Sequence, residues 1–314
     1  MSKMNRINIL LITYNQENLI RRTLDSILCQ KEFGINNIVV NDDCSKDNTW
    51  EILKEYEAKY PNIMRIYKNK INLGIYANAW ELYMHRGDAD IYQFLDGDDA
   101  FCPGFFEELQ HQIKNNHIDL SKSIAIYFDW KTKMPNGNEI ITSQSIVKSN
   151  DHPFSHCIRG KVCFRGVSYS KSVVDEYVPP VLDRGLNLAE YTYDCQGIRL
   201  AKEKFYFPYV STVYYAEIGV STKLDQNTKY YNEEEIEKWK YYIETDGYAK
   251  CSKDKYWMKA NLYRMRFKVK HCVTDYLKSV IYFIMGVKSY DLRPIKIAQF
   301  VFPKKRYLNR DIEI

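Results

Sequence analysis

The sequence predicts an α/β fold: a mostly parallel sheet flanked by helices, extended at its carboxyl end by a basic helical region. Three observations lead there. Short apolar runs alternate with helical spacing of apolar residues over the first hundred positions, and that alternation selects parallel strands joined by right-handed crossovers. Two of the runs end abruptly in acids, Asn41-Asp42-Asp43 and Asp96-Gly97-Asp98-Asp99. Charge is also unevenly spread: the chain carries +5 overall, yet from Lys253 onward fifteen Lys or Arg stand against five Asp or Glu.

Ile7 to Thr13 reads as a buried first strand, and Tyr14-Asn15 turns the chain with Asn15 as a helix N-cap. Leu19, Ile20, Leu24, Ile27 and Leu28 then recur at helical spacing. Asn37 to Val40 form a second strand, Ser45 or Asp47 caps the next helix, and Trp50, Leu53 and Tyr56 line its inner face. Ile63 to Tyr67 make a third strand, and residues 73–80 open a third helix. The run Ile91 to Leu95 is the fourth strand, and it delivers three carboxylates within four residues. Ligands of open α/β sheets bind at the carboxyl ends of the strands. Thr13, Asp42, Asp43, Asp96 and Asp98 are therefore expected to converge on one crevice. Repelling carboxylates at such an edge suit a hard divalent cation, because Mg²⁺ and Mn²⁺ take carboxylate oxygens together with substrate phosphates.

Composition narrows the classes. A chain of 314 residues that is 45% hydrophobic and 27% charged is globular and can bury a core. Eight cysteines without a C-x-x-C spacing point to reduced, buried thiols, Cys29 among them, in a cytoplasmic protein. The amino-terminal apolar run is too short for a signal peptide, and Val280 to Val287 falls well below the ~20 residues of a membrane span. Neither G-x-G-x-x-G nor G-x-x-x-x-G-K-[ST] occurs, so a bound nucleotide would have its phosphates neutralised by a metal and not by a glycine cradle.

The ordered set Thr13-Tyr14-Asn15, Asn41-Asp42-Asp43-Cys44-Ser45-Lys46-Asp47, Asn72-Leu73-Gly74 with Asn78, and Phe94-Leu95-Asp96-Gly97-Asp98-Asp99 resembles the family 2 glycosyltransferases of GT-A fold. Cys44 replaces the usual glycine. The resemblance covers roughly residues 6–110 and implies a nucleotide-sugar donor, with a UDP-sugar the leading candidate. Thr13 and Tyr14 would flank base and ribose, and Asp42 would accept a hydrogen bond from the base. Asp96 would touch the ribose or the water shell of a metal, and Asp98 would ligate Mn²⁺ or Mg²⁺ directly. Asn15, Glu17, Asp43, Asn72, Gly74, Asn78 and Gly97 fall in the same nucleotide-sugar site.

The expected division is a glycosyltransferase domain over 1–225, with a nucleotide-sugar half at about 1–110 and an acceptor half at about 111–225. A helical, basic-aromatic region follows over 226–314. In the acceptor half, Ser123 to Trp130 continue the sheet and Met134-Pro135-Asn136-Gly137-Asn138 is a hairpin turn. An inverting transferase needs a carboxylate to take the acceptor proton. The resembled family uses the Asp of an E-D pair, and here Tyr191 follows Glu190 at that place. Asp194 is the favoured base over Glu190; the two are four residues apart and would share a helix face. The acceptor would be a glycan or a polyprenyl-linked hydroxyl, in bacterial surface-polysaccharide assembly. The carboxyl-terminal mixture of Lys/Arg with aromatic residues suits a helix in the interface of an anionic membrane, on the inner face of the cell membrane. It equally suits a helical cap with a solvated basic face. No nucleic-acid recognition motif is present. Two other readings remain: a sugar-nucleotide nucleotidyltransferase, which Thr13 to Glu17 disfavour by lacking a phosphate loop, and an inactive sugar-nucleotide-binding scaffold.

Overall fold

The computed structural model describes residues 4–159, 162–163, 165–177, 196–216, 229–244 and 252–288. The chain divides into two compact units, Met1–Lys223 and Leu224–Ile314.

In the first unit the leading elements are β1 (Ile7–Thr13), α1 (Ile20–Leu28), β2 (Ile35–Asp42), α2 (Thr49–Lys59), β3 (Met64–Lys68), α3 (Ile75–Met84) and β4 (Ile91–Asp96). They alternate as the apolar spacing requires. The unit continues with β5 (Ala100–Phe101), α4 (Phe105–Asn115), β6 (Ile124–Lys133), β7 (Glu139–Thr142), α5 (Pro153–Ile158), β8 (Val167–Ser170), α6 (Lys171–Val174) and β9 (Glu203–Tyr215). Among the described residues these strands form one sheet in the order β3-β2-β1-β4-β8-β6-β9-β5, with β7 paired to β6.

The expectation of a mostly parallel sheet holds for β1 to β4, which pair in parallel throughout. Beyond β4 the sheet is mixed. β8 runs antiparallel between β4 and β6, β7 folds back on β6, and β5 is antiparallel to β9. β6 and β9 pair in parallel, and for β7 the physical reason is connection length. A parallel pair needs a crossover of a dozen or more residues, whereas a tight turn such as Met134–Asn138 closes an antiparallel hairpin. In that turn the Gly137 N–H donates to the Met134 carbonyl at 2.9 Å.

β1 is buried along nearly its whole length, so its continuous apolar run needs no alternation. Ile9, Leu11, Ile38, Val40 and Leu95 pack with Leu24 and Ile27 of α1, Leu53 of α2, and Phe105, Phe106 and Leu109 of α4. This packed slab holds the carboxyl ends of β1, β2 and β4 level. Register sets Thr13 beside Asp42 and Ile12 beside Asp96.

The second unit contains α7 (Lys229–Glu244), α8 (Ser252–Lys270) and α9 (Val273–Gly286). α8 and α9 pack closely, with the rings of Trp257 and Phe283 5.9 Å apart. A Cβ on Gly286 would stand 2.5 Å from the Trp257 nitrogen and 2.9 Å from the Lys253 carbonyl oxygen, so only glycine lets the two backbones approach.

Candidate active site

The acids gathered at the sheet edge fall into two groups with different partners. The first lies at the end of β2. Asp42 is buried and accepts from the Ser45 N–H at 3.1 Å and from the Ser45 hydroxyl. Lys68 lies 3.7 Å away, its ammonium also over the Trp50 ring. Burial raises the Asp42 carboxyl above its usual range, and the Ser45 hydrogen bonds and Lys68 oppose that rise.

Asp43 is fully engaged by the protein. Its carboxylate accepts from Asn69 Nδ2, from the Leu73 N–H and from the Gly74 N–H, each at 2.8 Å. Its carbonyl accepts from Asn72 Nδ2 at 3.4 Å. These contacts fold the 69–74 segment over the end of β2. Beneath it, Asn41 Nδ2 reaches Asn69 Oδ1 at 3.0 Å and Asn78 Oδ1 at 2.6 Å, so buried Asn78 anchors α3 to β2. Asn72 and Asn78 thus act in the structure by tying the loop and the helix together.

The turn after β1 is stitched to the loop before α2. The Asn15 N–H donates to Ser45 Oγ at 2.8 Å, and Asn15 Oδ1 accepts the Lys46 N–H at 2.8 Å. The Glu17 N–H donates to Asp47 Oδ2 at 3.0 Å, while Glu17 Oε2 accepts the Asn48 N–H at 2.9 Å. Asn15 is therefore not the cap of α1, whose N-cap is Leu19 with no side-chain bond. Its side chain serves the neighbouring loop instead. Ser45 binds Asp42 and Asn15, and of the two expected caps Asp47 alone bonds the first turn of α2, accepting the Thr49 N–H at 3.0 Å. Tyr14 stands exposed beside this scaffold.

The second group is the turn after β4. The Gly97 N–H donates to the Ile12 carbonyl at 3.0 Å. A Cβ there would lie 2.1 Å from Gln16 Oε1 and 3.0 Å from the Ile12 oxygen, so glycine is required by the close approach of β1. Thr13 closes the contact, its hydroxyl donating to Gln16 Oε1 at 2.7 Å. Buried Thr23 holds the turn from below, its Oγ1 2.8 Å from the Gly97 carbonyl and 2.7 Å from that of Asp99.

Two arginines clamp the acids. Arg22 donates to the Asp98 carbonyl at 2.6 Å and lies over the Tyr215 ring. Arg165 donates through Nε to Asp99 Oδ2 at 3.1 Å and reaches Asp96 Oδ2 at 3.5 Å, its guanidinium 4.2 Å above the Tyr214 ring. Burial pushes the Asp99 carboxyl up to about 6, against the pull of Arg165. Asp96 and Asp98 are only half-buried.

Neither arginine is marked by a sequence motif. Arg165 reaches the turn because β8 inserts antiparallel beside β4, a pairing the strand pattern does not disclose. Asp194 and Glu190 lie outside the described residues. The expectation of buried thiols fails for Cys29, which is exposed just past α1; of the described cysteines Cys157 is buried.

The comparisons bear on this edge directly. The family model for glycosyl transferase family 2 matches residues 8–168, a little over half the chain, and takes in β1 through the arginine-bearing turn before β8. The chain belongs to glycosyl transferase family 2. It is 34% identical over 123 residues to the uncharacterized protein Rv1520 of Mycobacterium tuberculosis, covering 39% of this chain and 34% of that protein. It is 31% identical over 158 residues to the minor teichoic acid biosynthesis protein GgaB of Bacillus subtilis, covering 48% of this chain and 17% of GgaB. The chain thus spans about a third or less of the length of these curated relatives. Among solved structures, residues 1–349 of S. aureus TarS in complex with UDP-GlcNAc superpose with a TM-score of 0.58 at 17% identity, covering 93% of this chain and 86% of that one. At that identity the likeness is one of fold.

Proposed function

We propose that this chain is an inverting, nucleotide-sugar-dependent glycosyltransferase. It takes a nucleoside-diphosphate sugar, a UDP-sugar first, and glycosylates a glycan or polyprenyl-linked hydroxyl during bacterial surface-polysaccharide assembly on the cytoplasmic side of the membrane. The observation that carries the reading is register: Thr13, Asp42 and Asp96 end adjacent strands on one edge, and Asp98 follows on the same turn. Membership of the glycosyltransferase family supports it, as does the teichoic acid role in the name of GgaB.

A divalent cation suits this edge in a restricted way. Among the described residues no three His, Cys, Asp or Glu side chains form a metal-holding group. Mg²⁺ and Mn²⁺ often bind through one or two carboxylates and complete their shell with substrate phosphates and water. Asp98 and Asp96 offer that partial set, and the Arg165 guanidinium lying against Asp96 and Asp99 marks a place that attracts positive charge. When bound, such an ion would neutralise the departing diphosphate.

The residues of the chain do the rest. Asp42 accepts from the base and Thr13 and Tyr14 flank base and ribose, on a floor held rigid by Asp43, Asn78 and the Asn15–Ser45 stitch. Asn72, Gly74 and Gly97 shape the loops around the donor, and Glu17 fixes the turn beside it. As the acceptor oxygen bonds to the anomeric carbon, the bond from that carbon to the diphosphate oxygen breaks. The hydroxyl proton passes to a carboxylate, Asp194 ahead of Glu190. Residues 111–225 form the acceptor half in this reading.

Calorimetric titration with UDP, GDP and CMP tests the proposal, each with Mn²⁺ and with EDTA, beside Asp98→Ala. One nucleotide is expected to bind in a cation-dependent way that the variant loses. A folded protein that binds none of the three would overturn the reading. Binding without sugar transfer to any acceptor would favour a scaffold.

A further inference from the structure

The second unit carries an exposed apolar stripe. Val273, Leu277, Ile281 and Ile284 follow one another along α9 at intervals of four, four and three residues, with Met285 adjoining, so they occupy one side of the helix. All five are exposed, Val273 and Ile284 to 66% each. The opposite side, with Asp275, Ser279, Phe283 and Gly286, is the buried one. The usual order of an amphipathic helix is inverted: the large aliphatic residues face outward. A contiguous exposed apolar strip rimmed by polar groups marks an interaction surface.

Its rim says what kind. Lys278 and Tyr282 border the stripe, Tyr282 stacks on Tyr263 of α8 at 5.5 Å, and the Lys259 and Lys278 ammonium groups lie over the Tyr282 and Tyr263 rings. The two acids of this helix pair are turned inward. Asp275 is buried against Arg266 at 3.3 Å and Asp254 against Lys288 at 3.4 Å. Among the described residues of α8 and α9, every exposed charged side chain is a lysine: Lys253, Lys255, Lys270 and Lys278.

We propose that α9 is an interfacial helix that seats its Val273–Met285 stripe in the headgroup boundary of an anionic lipid surface. Aliphatic residues enter the boundary, tyrosines sit at headgroup level, and lysines meet the negative charge. At 14 residues the helix is far shorter than the ~20 needed to span a bilayer, and no described helix is long and apolar enough to cross one. A second copy of the chain is the poorer occupant, because it would bring the same lysines against these. The inference does not depend on the donor reading, so the two fail separately.

The test is co-sedimentation of the full chain with vesicles of phosphatidylcholine, and of phosphatidylcholine mixed with phosphatidylglycerol. The wild type, Leu277→Ser/Ile281→Ser/Ile284→Ser, and Lys270→Glu/Lys278→Glu are compared, with helical circular dichroism and its thermal unfolding as the control for folding. The wild type is expected to bind the anionic vesicles and to lose binding with added salt. The serine variant is expected to lose partitioning tenfold or more, and the glutamate variant about fivefold for each lysine removed. Equal binding to neutral vesicles, no binding to either, or undiminished binding by a folded serine variant would overturn the proposal. So would a wild-type dimer in light scattering that the serine substitutions dissolve, since the stripe would then belong to a second copy.

Discussion

Replacing Arg165 with alanine is the sharpest probe of the acidic turn, because its effect on stability depends on pH with a defined sign. The Asp99 side chain is 2% exposed and that of Arg165 14%. Removing one member of a buried pair commonly costs about 3–5 kcal/mol. Asp99 has an escape, since a carboxyl at about 6 can take up a proton at pH 7 for about 1.4 kcal/mol. Loss of a charged hydrogen bond adds about 1.5 kcal/mol, and loss of the contact over Tyr214 about 0.5–1 kcal/mol. The deficit at pH 7 is therefore about 3–4 kcal/mol. The folded carboxyl sits above the ordinary aspartate value of 3.8, so its favourable contribution is complete below about 3.8 and is lost as pH rises through about 6. Without Arg165 the folded value moves higher still, and the loss extends to higher pH. Urea unfolding at pH 5, 6, 7 and 8 should thus show the deficit growing with pH, from about 2 kcal/mol at pH 5. Adding Asp99→Asn should restore much of the loss at pH 7. A deficit that is flat across pH, or a double variant no more stable than the single one, would refute the argument.

Three further outcomes follow from close contacts. Gly97→Ala should cost about 1–3 kcal/mol in thermal or urea unfolding, because its Cβ would press on Gln16 and on the Ile12 carbonyl, and it should weaken nucleotide binding through Thr13. Asp43→Asn leaves one oxygen for three donors and turns an amide N–H₂ toward another donor. Hydrogen exchange at Leu73 and Gly74 should accelerate, with about 1–3 kcal/mol lost in unfolding. Gly286→Ala should loosen α9 from α8, seen as exposure of Trp257 in its fluorescence, while nucleotide binding persists.

Strands β1, β2 and β4 were legible because each carries a short apolar run closed by a turn, the mark of a buried parallel strand, and the half-exposed edge strand β3 was legible by its place in the alternation. Asp42 and Asp96 were legible as a shared edge for the same reason, since parallel strands of matched register end together. What the sequence withheld was the second half of the sheet. β8 is four residues long and β5 only two, too short for a periodic signal, and it is β8 that brings Arg165 to the acids. The stripe on α9 was visible only as a brief apolar run. Its outward direction depends on Gly286 and Phe283 docking against Trp257, which spacing alone cannot disclose.

Burial separates the work of the edge carboxylates more cleanly than motif position does. Asp43 and Asp42 lie adjacent in sequence and both are buried, yet Asp43 meets three protein donors and Asp42 meets Ser45 and a lysine. A carboxylate saturated by main-chain and amide donors gains little by turning to a ligand, so Asp43 acts by shaping the 69–74 segment. Asp99 is withdrawn from solvent and held by Arg165, which makes it the brace of the turn. That leaves half-buried Asp96 and Asp98, two residues apart, as the pair with access to both solvent and protein. On the proposed reading an incoming diphosphate and its counter-ion would meet these two first, and Asp98→Ala should therefore abolish nucleotide binding in calorimetric titration.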